Sequence, residues 1–263
     1  MIKSGLVSIS FRKFSVEKIL NMCETAQLDC IEWGGDMHVP HGDVALAGKV
    51  AKMSSDAGIE IASYGSYYKA GDSETSPENK LYFQQVLDSA TALGTKTIRV
   101  WAGKVKSAEI SDEQRKIIVD DLLRIGEMAK KQNIKIGMEF HGGTLTDCNA
   151  SAISLKQELS DDSNVDFYWQ PGAGFSDSEC LDGIKALAPR VNNIHTFQWT
   201  LDSEGNVVKN LLESAKNRWT NFLNEIAKDS KDHAAMLEFI LDDSEENFYK
   251  DAAALKQIIS KLS

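Results

Sequence analysis

Ile136–Gly143 reads Ile-Gly-Met-Glu-Phe-His-Gly-Gly, a short apolar run that ends in a carboxylate, an imidazole and two glycines. Its length, and its boundaries at Lys135 and at the glycines, predict a buried strand. Because side chains alternate along a strand, we expect Glu139 and His141 to point to the same side. Neither group belongs inside an apolar sheet without a partner. This strand end therefore indicates a site of chemistry.

Similar apolar runs recur on both sides of this stretch and are separated by helix-like segments. The other predicted strands are Gly5–Ile9, Cys30–Trp33, Glu60–Tyr64, Thr97–Trp101, Val165–Gln170, Val191–Phe197 and Ala235–Ile240. Caps and apolar stripes predict helices over Ser15–Ala26, Ala45–Ala57, Ser76–Leu93, Ser111–Asn133, Ala150–Leu159, Cys180–Leu187, Leu211–Lys228 and Glu245–Leu262. A small hairpin turn is expected at Ser203-Glu204-Gly205-Asn206.

These segments make eight strand–helix units of about 33 residues, which is the usual size in a (β/α)8 barrel. Regular alternation implies parallel strands joined by helices. The sequence therefore predicts an α/β protein, a single TIM barrel that forms one domain over residues 1–263. The alternative is a doubly wound open sheet, which usually has fewer units and a glycine-rich turn after the first strand. Ser8–Phe14 contains no glycine, which disfavours it.

Composition narrows the classes of partner. The net charge of -10 disfavours binding to a nucleic acid backbone, which normally requires a basic patch. No stretch approaches the roughly 20 apolar residues of a membrane span, and the first residues lack the pattern of a signal peptide. The four cysteines are widely spaced, which favours free thiols in a reducing cytosol. We therefore expect a cytoplasmic protein that acts on a small molecule.

In such a barrel the functional groups lie at the C-terminal ends of the strands. Glu139, Gln170, His195 and Glu238 stand at the predicted ends of strands five to eight, one on each strand. Since adjacent strands lie roughly 5 Å apart, these four side chains can converge on one ion. Two carboxylates, an amide oxygen and an imidazole suit Mn²⁺, Mg²⁺, Co²⁺ or Zn²⁺. The pattern predicts a divalent metal site.

Aromatic side chains are concentrated near the same predicted mouth, as a sugar pocket would require. The candidates for substrate contact are Trp33, Tyr64, Trp101 and Trp199, although Trp33 follows an inward-pointing residue and could face the helices instead. Arg99 could bind a substrate phosphate or carboxylate, or it could pair with Glu32 or Glu60 inside the barrel. His38, in the loop after the second strand, is a candidate lid residue.

Four segments resemble one known family, the xylose-isomerase-like TIM barrels, which include sugar-phosphate isomerases, epimerases and inosose dehydratase-like proteins. The resemblance covers nearly the whole chain and is carried by Ile31–Gly35, Met138–Gly143, Ile194–His195 and Leu237–Phe239. In that family a Glu, an Asp, a His and a second Glu bind a divalent metal.

The match with the family's metal ligands is incomplete. Glu139, His195 and Glu238 match the first, third and fourth ligands, and Gln170 stands where the family usually has Asp. Its epimerases often have a histidine three residues further on, where this chain has Ala173. The usual Lys-Asp after the histidine of strand seven is also missing. Gln170 removes one negative charge from the expected ligand set, so we expect weaker cation binding. The other two departures imply a substrate different from that of the family's epimerases.

The resemblance implies a metal-dependent isomerase or epimerase of a sugar, a polyol or a sugar phosphate. Glu139 and Glu238 would then be the acid–base pair, and His141 would contact a substrate hydroxyl. An inosose dehydratase-like lyase would use the same groups, and a sugar-binding barrel without catalysis is a further alternative. A nuclease-like hydrolase is disfavoured by the acidic charge and the few histidines. Homo-oligomers are common in the family, but no stretch here marks an interface.

Overall fold

Eight parallel strands close into a barrel in the computed structural model, which describes residues 1–262. The strands of the chain are β1 (Ile2–Val7), β2 (Cys30–Gly34), β3 (Glu60–Lys69), β4 (Thr97–Trp101), β5 (Lys135–Glu139), β6 (Val165–Trp169), β7 (Val191–Thr196), β8 (Gln198–Leu201), β9 (Val207–Asn210) and β10 (His233–Leu237). β10 pairs with both β7 and β1 and so closes the barrel, whereas β8 and β9 form a separate antiparallel hairpin. The predicted (β/α)8 barrel is confirmed.

Eight α-helices follow the barrel strands and cover the outside of the barrel. They are α1 (Val16–Ala26), α2 (Val44–Asp56), α3 (Phe83–Leu93), α4 (Asp112–Lys130), α5 (Asn149–Glu158), α6 (Asp177–Leu187), α7 (Lys216–Ala227) and α8 (Glu245–Ile259). Ser15 and Ser111 cap α1 and α4 with their side chains, as their positions in the sequence predict. No helix within residues 1–262 combines the length and the apolar character needed to cross a membrane.

The start of α3 differs from the prediction. Ser76-Pro77 predicts a helix start, but β3 runs on to Lys69 and turns follow, so that the helix begins only at Phe83. The backbone N–H of Phe83 donates to Glu74 Oε1 at 2.9 Å, which satisfies a group that the helix leaves free. The side chain of Glu74, nine residues upstream, therefore caps α3, and Ser76-Pro77 does not start the helix.

The hairpin turn predicted at Ser203–Asn206 is confirmed. The strands that flank it pair from Gln198 with Asn210 to Leu201 with Val207. Asp202 Oδ1 accepts the backbone N–H groups of Glu204 and Asn206, which holds the turn closed.

The barrel interior is divided into two layers. The lower layer is apolar and includes Val7, Cys30, Tyr168, Ala234 and Met236. Gly137 leaves room for the Tyr168 ring, because a Cβ there would lie 3.1 Å from it. Closer to the C-terminal ends of the strands, every barrel strand except β1 contributes an inward-pointing polar side chain. The polar layer therefore lies at the C-terminal end of the barrel, with apolar packing beneath it.

Candidate metal centre

Seven buried polar side chains form the upper layer of the barrel interior. They are Glu32 on β2, Ser63 on β3, Arg99 on β4, Glu139 on β5, Gln170 directly after β6, His195 on β7 and Glu238 directly after β10. Because side chains alternate along a strand, the next side chain that points into the barrel on the same strand is two residues away, in the layer below or above. The strand register thus brings residues that are distant in the sequence into one layer.

His195 lies at the centre of the four predicted metal-binding residues. Its Nδ1 atom is 3.1 Å from Glu238 Oε2, 3.4 Å from Glu139 Oε1 and 3.1 Å from Gln170 Oε1. An imidazole nitrogen carries at most one proton and can satisfy only one of these acceptors. The arrangement is therefore rich in lone pairs and poor in donors.

A divalent cation fits this surplus of acceptors. One ligand atom each from Glu139, His195 and Glu238 lies within 4.8 Å of the others. Neighbouring ligand atoms around an ion with bonds of about 2.1 Å lie roughly 3.0–3.5 Å apart, which matches the spacing around His195 Nδ1. Within residues 1–262, Glu238 Oε2 is buried without a hydrogen bond. The donor set fits a metal ion, and Gln170 Oε1 provides a further oxygen beside it.

Arg99 is held between two buried carboxylates. Its Nε donates to Glu32 Oε1 at 2.8 Å, and its Nη1 makes a close ion pair with Glu139 Oε2. Trp101 Nε1 donates to the same Glu139 oxygen at 2.5 Å. Of the partners expected for Arg99 inside the barrel, the structure shows Glu32.

The charges of this layer shift the pKa values of its members. Burial alone would raise the pKa of Glu139, but the charge of Arg99 and the hydrogen bond from His195 outweigh it and lower the pKa to about 2. Burial alone would lower the pKa of His195, but the charges of Glu238 and Glu32 raise it well above its ordinary value. Without a cation nearby, these charges thus favour the protonated form of His195.

The net charge of this buried layer also favours a divalent cation. Three buried carboxylates and one guanidinium leave two formal negative charges in the layer when His195 is neutral. Buried charge of one sign is unfavourable unless it is compensated. One divalent cation would neutralise the layer, and an aspartate in place of Gln170 would leave an excess negative charge. The uncharged amide at this position is thus compatible with a metal.

A cavity of about 540 Å³ opens beside Glu238. It lies between the segment after β1, which includes Ser10 and Arg12, and the segment after β10. Ser10 Oγ is buried and makes no hydrogen bond within residues 1–262, so a polar ligand could satisfy it. The volume suits a small sugar or a compound of similar size.

Trp101 and His141 lie together at the rim, beside Glu139. Their rings stack with centroids 4.5 Å apart, and His141 Nδ1 is 2.7 Å from Gly142 O. β5 ends at Glu139, so His141 belongs to the following loop and does not continue the strand. Both residues therefore lie near the mouth, as predicted, but the Trp101 face toward His141 is already covered.

Trp33 and Tyr64 do not lie in the barrel mouth. Trp33 Nε1 donates to Ser54 Oγ on α2 at 3.1 Å, and the Tyr64 hydroxyl donates to Val39 O at 2.8 Å. Both residues directly follow inward-pointing side chains, so alternation turns them toward the helices. The predicted contacts of Trp33 and Tyr64 with a substrate are corrected accordingly.

His38 and Trp199 also serve packing. His38 Nδ1 lies 3.0 Å from Ser8 Oγ, and the His38 ring is buried against Trp33. The side chain therefore anchors its loop to the barrel and is not an exposed lid residue. The centroid of the Trp199 ring lies 4.2 Å from that of Phe197 and 4.6 Å from that of Phe239. Trp199 also borders a separate cavity of about 230 Å³. Neither side chain reaches the metal-binding residues directly.

Tyr67 is a rim residue that the candidate site left out. Its ring lies 5.0 Å from the Arg99 guanidinium and 5.6 Å from Trp101, and its hydroxyl accepts a hydrogen bond from Arg12 at 2.8 Å. Its φ of 56° is uncommon for a residue other than glycine. The third predicted strand ends at Tyr64, and the sequence places Tyr67 among the aromatic residues near the mouth but not among the candidate substrate contacts.

The fold and the buried residues together define a class of protein. A family model described as xylose isomerase-like TIM barrel matches residues 20–258. The chain belongs to this family.

Individual relatives differ in the reaction that their names describe. A 3-dehydroshikimate dehydratase of Bacillus anthracis is 29% identical over 117 residues, a stretch that spans 43% of this chain and 40% of the relative. A D-psicose 3-epimerase with D-tagatose from Clostridium cellulolyticum H10 covers 99% of both chains at 11% identity and a TM-score of 0.71. The IOLI protein with a zinc atom covers 99% of both chains at 16% identity and a TM-score of 0.74. The structural likenesses establish the fold.

Proposed function

We propose that this protein is a divalent-metal-dependent enzyme that moves a proton beside a substrate carbonyl, as an isomerase or epimerase of a sugar, a polyol or a sugar phosphate. The observation that carries the proposal is the convergence of Glu139, His195 and Glu238 around one point, next to a cavity that Glu238 lines. Gln170 would complete the set of ligands for Mn²⁺, Mg²⁺, Co²⁺ or Zn²⁺. The family match, and a structural neighbour whose name includes a bound zinc atom, support a divalent metal.

The two glutamates are suited to different tasks. When bound, the cation would polarise the substrate carbonyl and stabilise negative charge on its oxygen. Glu139 is held by Arg99 and Trp101, which fixes one of its oxygens and favours its charged form. Glu238 lines the cavity, and its Oε2 accepts no hydrogen bond within residues 1–262, although His195 Nδ1 lies 3.1 Å away. Glu238 is therefore the better proton acceptor, and Glu139 is the better-anchored ligand and a weaker acid–base partner.

A dehydratase is the second candidate, because the relative from Bacillus anthracis carries that activity in its name. The same residues would act: Glu238 takes the proton beside the carbonyl, the electron pair forms a carbon–carbon double bond, and the hydroxyl leaves as water with a proton from the site. An isomerase keeps the mass of its substrate, whereas a dehydratase product is lighter by one water. The two reactions are thus distinguishable by mass alone.

We infer further that the chain works as one domain in the cytoplasm on a small molecule. The four cysteines are free, and Cys23, Cys30 and Cys180 are buried, which supports a reducing compartment. The net charge of -10 supports a partner other than nucleic acid.

The test combines metal content with turnover. Purified wild-type protein, incubated with Mn²⁺ and dialysed, should hold about one ion per chain. It should also convert D-psicose, D-tagatose or a ketose phosphate in D₂O with uptake of deuterium, or 3-dehydroshikimate with loss of water. Glu238→Gln should reduce turnover at least about 100-fold, because it removes the proton acceptor.

Glu60→Gln is the matched control, since Glu60 lies at the opposite end of the barrel and pairs with Lys3. It should retain both the metal and the turnover. Absence of metal after incubation with Mn²⁺, or full turnover by Glu238→Gln, would overturn the proposal. Product mass then decides between the isomerase and the dehydratase.

A further inference from the structure

The β8–β9 hairpin is an addition to the barrel that packs against the segment after β10. It begins at Gln198, three residues after His195, and returns at Asn210. Its strands pair only with each other and form no part of the barrel sheet. The hairpin is therefore continuous in sequence with the strand that carries His195.

The segment that follows Glu238 has an unusual backbone. Phe239, Asp242 and Asp243 have φ values of 53°, 59° and 47°, in the left-handed region. Aspartate visits this region more readily than most residues, but phenylalanine rarely does. Such a conformation persists only where the surrounding structure imposes it. The segment must therefore be held from outside.

The hairpin supplies contacts at both ends of this segment. Lys209 Nζ donates to Ile240 O at 3.3 Å and to Asp243 Oδ1 at 2.7 Å. The Phe239 ring packs against Phe197 and Trp199, with centroids 5.1 and 4.6 Å away. One cation thus binds a backbone carbonyl and a carboxylate of the segment, while two aromatic rings hold its first residue.

We propose that Lys209 is a positioning residue that, through the segment after β10, sets the place of Glu238 relative to His195. Glu238 directly precedes Phe239, and its Oε2 lies 3.1 Å from His195 Nδ1. β7 and β10 are already paired in the barrel. Because the hairpin follows β7 and Lys209 binds the segment after β10, it adds a contact between the two segments that leave these strands. This inference rests on the proposed metal-dependent function, since it assigns Lys209 a role in orienting a ligand of that site.

The experiment compares Lys209→Met with Lys209→Arg, and uses Lys104→Met as the matched control. Lys104 also forms an ion pair on the surface, with Asp72 at 2.6 Å, but it lies after β4. Two quantities are measured on the full chain: the affinity for Mn²⁺ by calorimetry, and hydrogen–deuterium exchange of residues 239–244. Lys209→Met should weaken Mn²⁺ binding about tenfold, as the loss of groups that orient metal ligands does, and should speed exchange in the segment. Lys209→Arg should restore most of both, and Lys104→Met should change neither.

Asp243→Asn provides a second, milder variant if Lys209→Met folds poorly. It removes the charge that Lys209 binds and keeps the side-chain shape, and it should shift both quantities in the same direction by a smaller amount. If wild-type protein binds Mn²⁺ and Lys209→Met binds it equally well, the positioning role is overturned. If wild-type protein binds no Mn²⁺, the proposed function fails, whereas unchanged exchange in residues 239–244 of Lys209→Met would separately overturn the contact on which this inference rests.

Discussion

Gly65 on β3 lies directly beside the buried pair of Glu32 and Arg99. A Cβ atom at this position would lie 2.6 Å from Glu32 Oε1 and 2.7 Å from Arg99 Nη2. Both side chains are fully enclosed, and each is tied to further partners, so neither can move away easily. The absence of a side chain at Gly65 therefore makes room for the ion pair that orients Glu139.

We expect Gly65→Ala to lower the free energy of unfolding by about 2–4 kcal/mol, because it overpacks a region of buried charge. Gly48→Ala is the control. Gly48 lies within α2, and a Cβ there would meet no atom within 4 Å. That change should raise the free energy of unfolding by up to about 1 kcal/mol, since alanine favours a helix over glycine. Denaturant unfolding of both variants checks this, and effects of the same sign would contradict the account.

At this scale, strand periodicity could predict which residues point inward but not their partners. Glu139, His195 and Glu238 end apolar runs, so their common layer follows from alternation along parallel strands. The contact of Arg99 with Glu32 depends on the register between strands distant in sequence, which no local pattern specifies. Tyr67 lies beyond the predicted end of its strand, and its contacts with Arg12 and Arg99 join segments that are distant in the sequence.

Among the elements, α8 is tied to the segment that follows the hairpin by one buried carboxylate. Asp251 on α8 accepts the backbone N–H of Leu212 at 2.8 Å. Burial raises the pKa of Asp251 to about 6, although the hydrogen bond from Leu212 opposes this. The folded protein therefore holds a proton at Asp251 over a range of pH in which the unfolded chain has already lost it.

This shift predicts a pH-dependent loss of stability. Between about pH 4 and pH 6 the folded state binds more protons at Asp251 than the unfolded state, so stability falls as the pH rises and levels off above about pH 6. In the wild type, the free energy of unfolding should fall by at most ~3 kcal/mol over this range. Asp251→Asn has no proton to lose and should not show this fall. Denaturant unfolding of both proteins at about pH 4.5 and about pH 7, on either side of the pKa of Asp251, measures the difference in stability. Parallel pH profiles would contradict it.

Element types were more predictable than element starts. The capping serines mark α1 and α4 in the sequence, and the turn at Ser203–Asn206 marks the hairpin. α3 is different, because Glu74 reaches its first N–H from a preceding turn and Ser76-Pro77 remains outside the helix. Local caps can be recognised in a sequence, whereas a cap provided from another segment depends on how the chain folds back.

For the molecule as a whole, the repeat of strand and helix predicts the barrel, because parallel strands need a helix between them and eight such units close. Closure through β1 and β10 places the segments after these two strands side by side, and the cavity beside Glu238 lies between them. The location of the site thus follows from the repeat, but the substrate depends on loops that the repeat does not determine.

Metal binding should stabilise the entire barrel, since Glu139, His195 and Glu238 come from three strands that are separated in the unfolded chain. At a Mn²⁺ concentration about 100 times Kd, the expected gain is about 2.7 kcal/mol, which raises Tm by roughly 5–10 °C for a chain of this size. The shift should decrease as the pH is lowered, because the raised pKa of His195 means that binding must displace its proton. Differential scanning calorimetry with and without Mn²⁺ measures it. Glu238→Gln should lose most of the shift and Glu60→Gln should keep it, so equal shifts in the two variants would place the ion elsewhere.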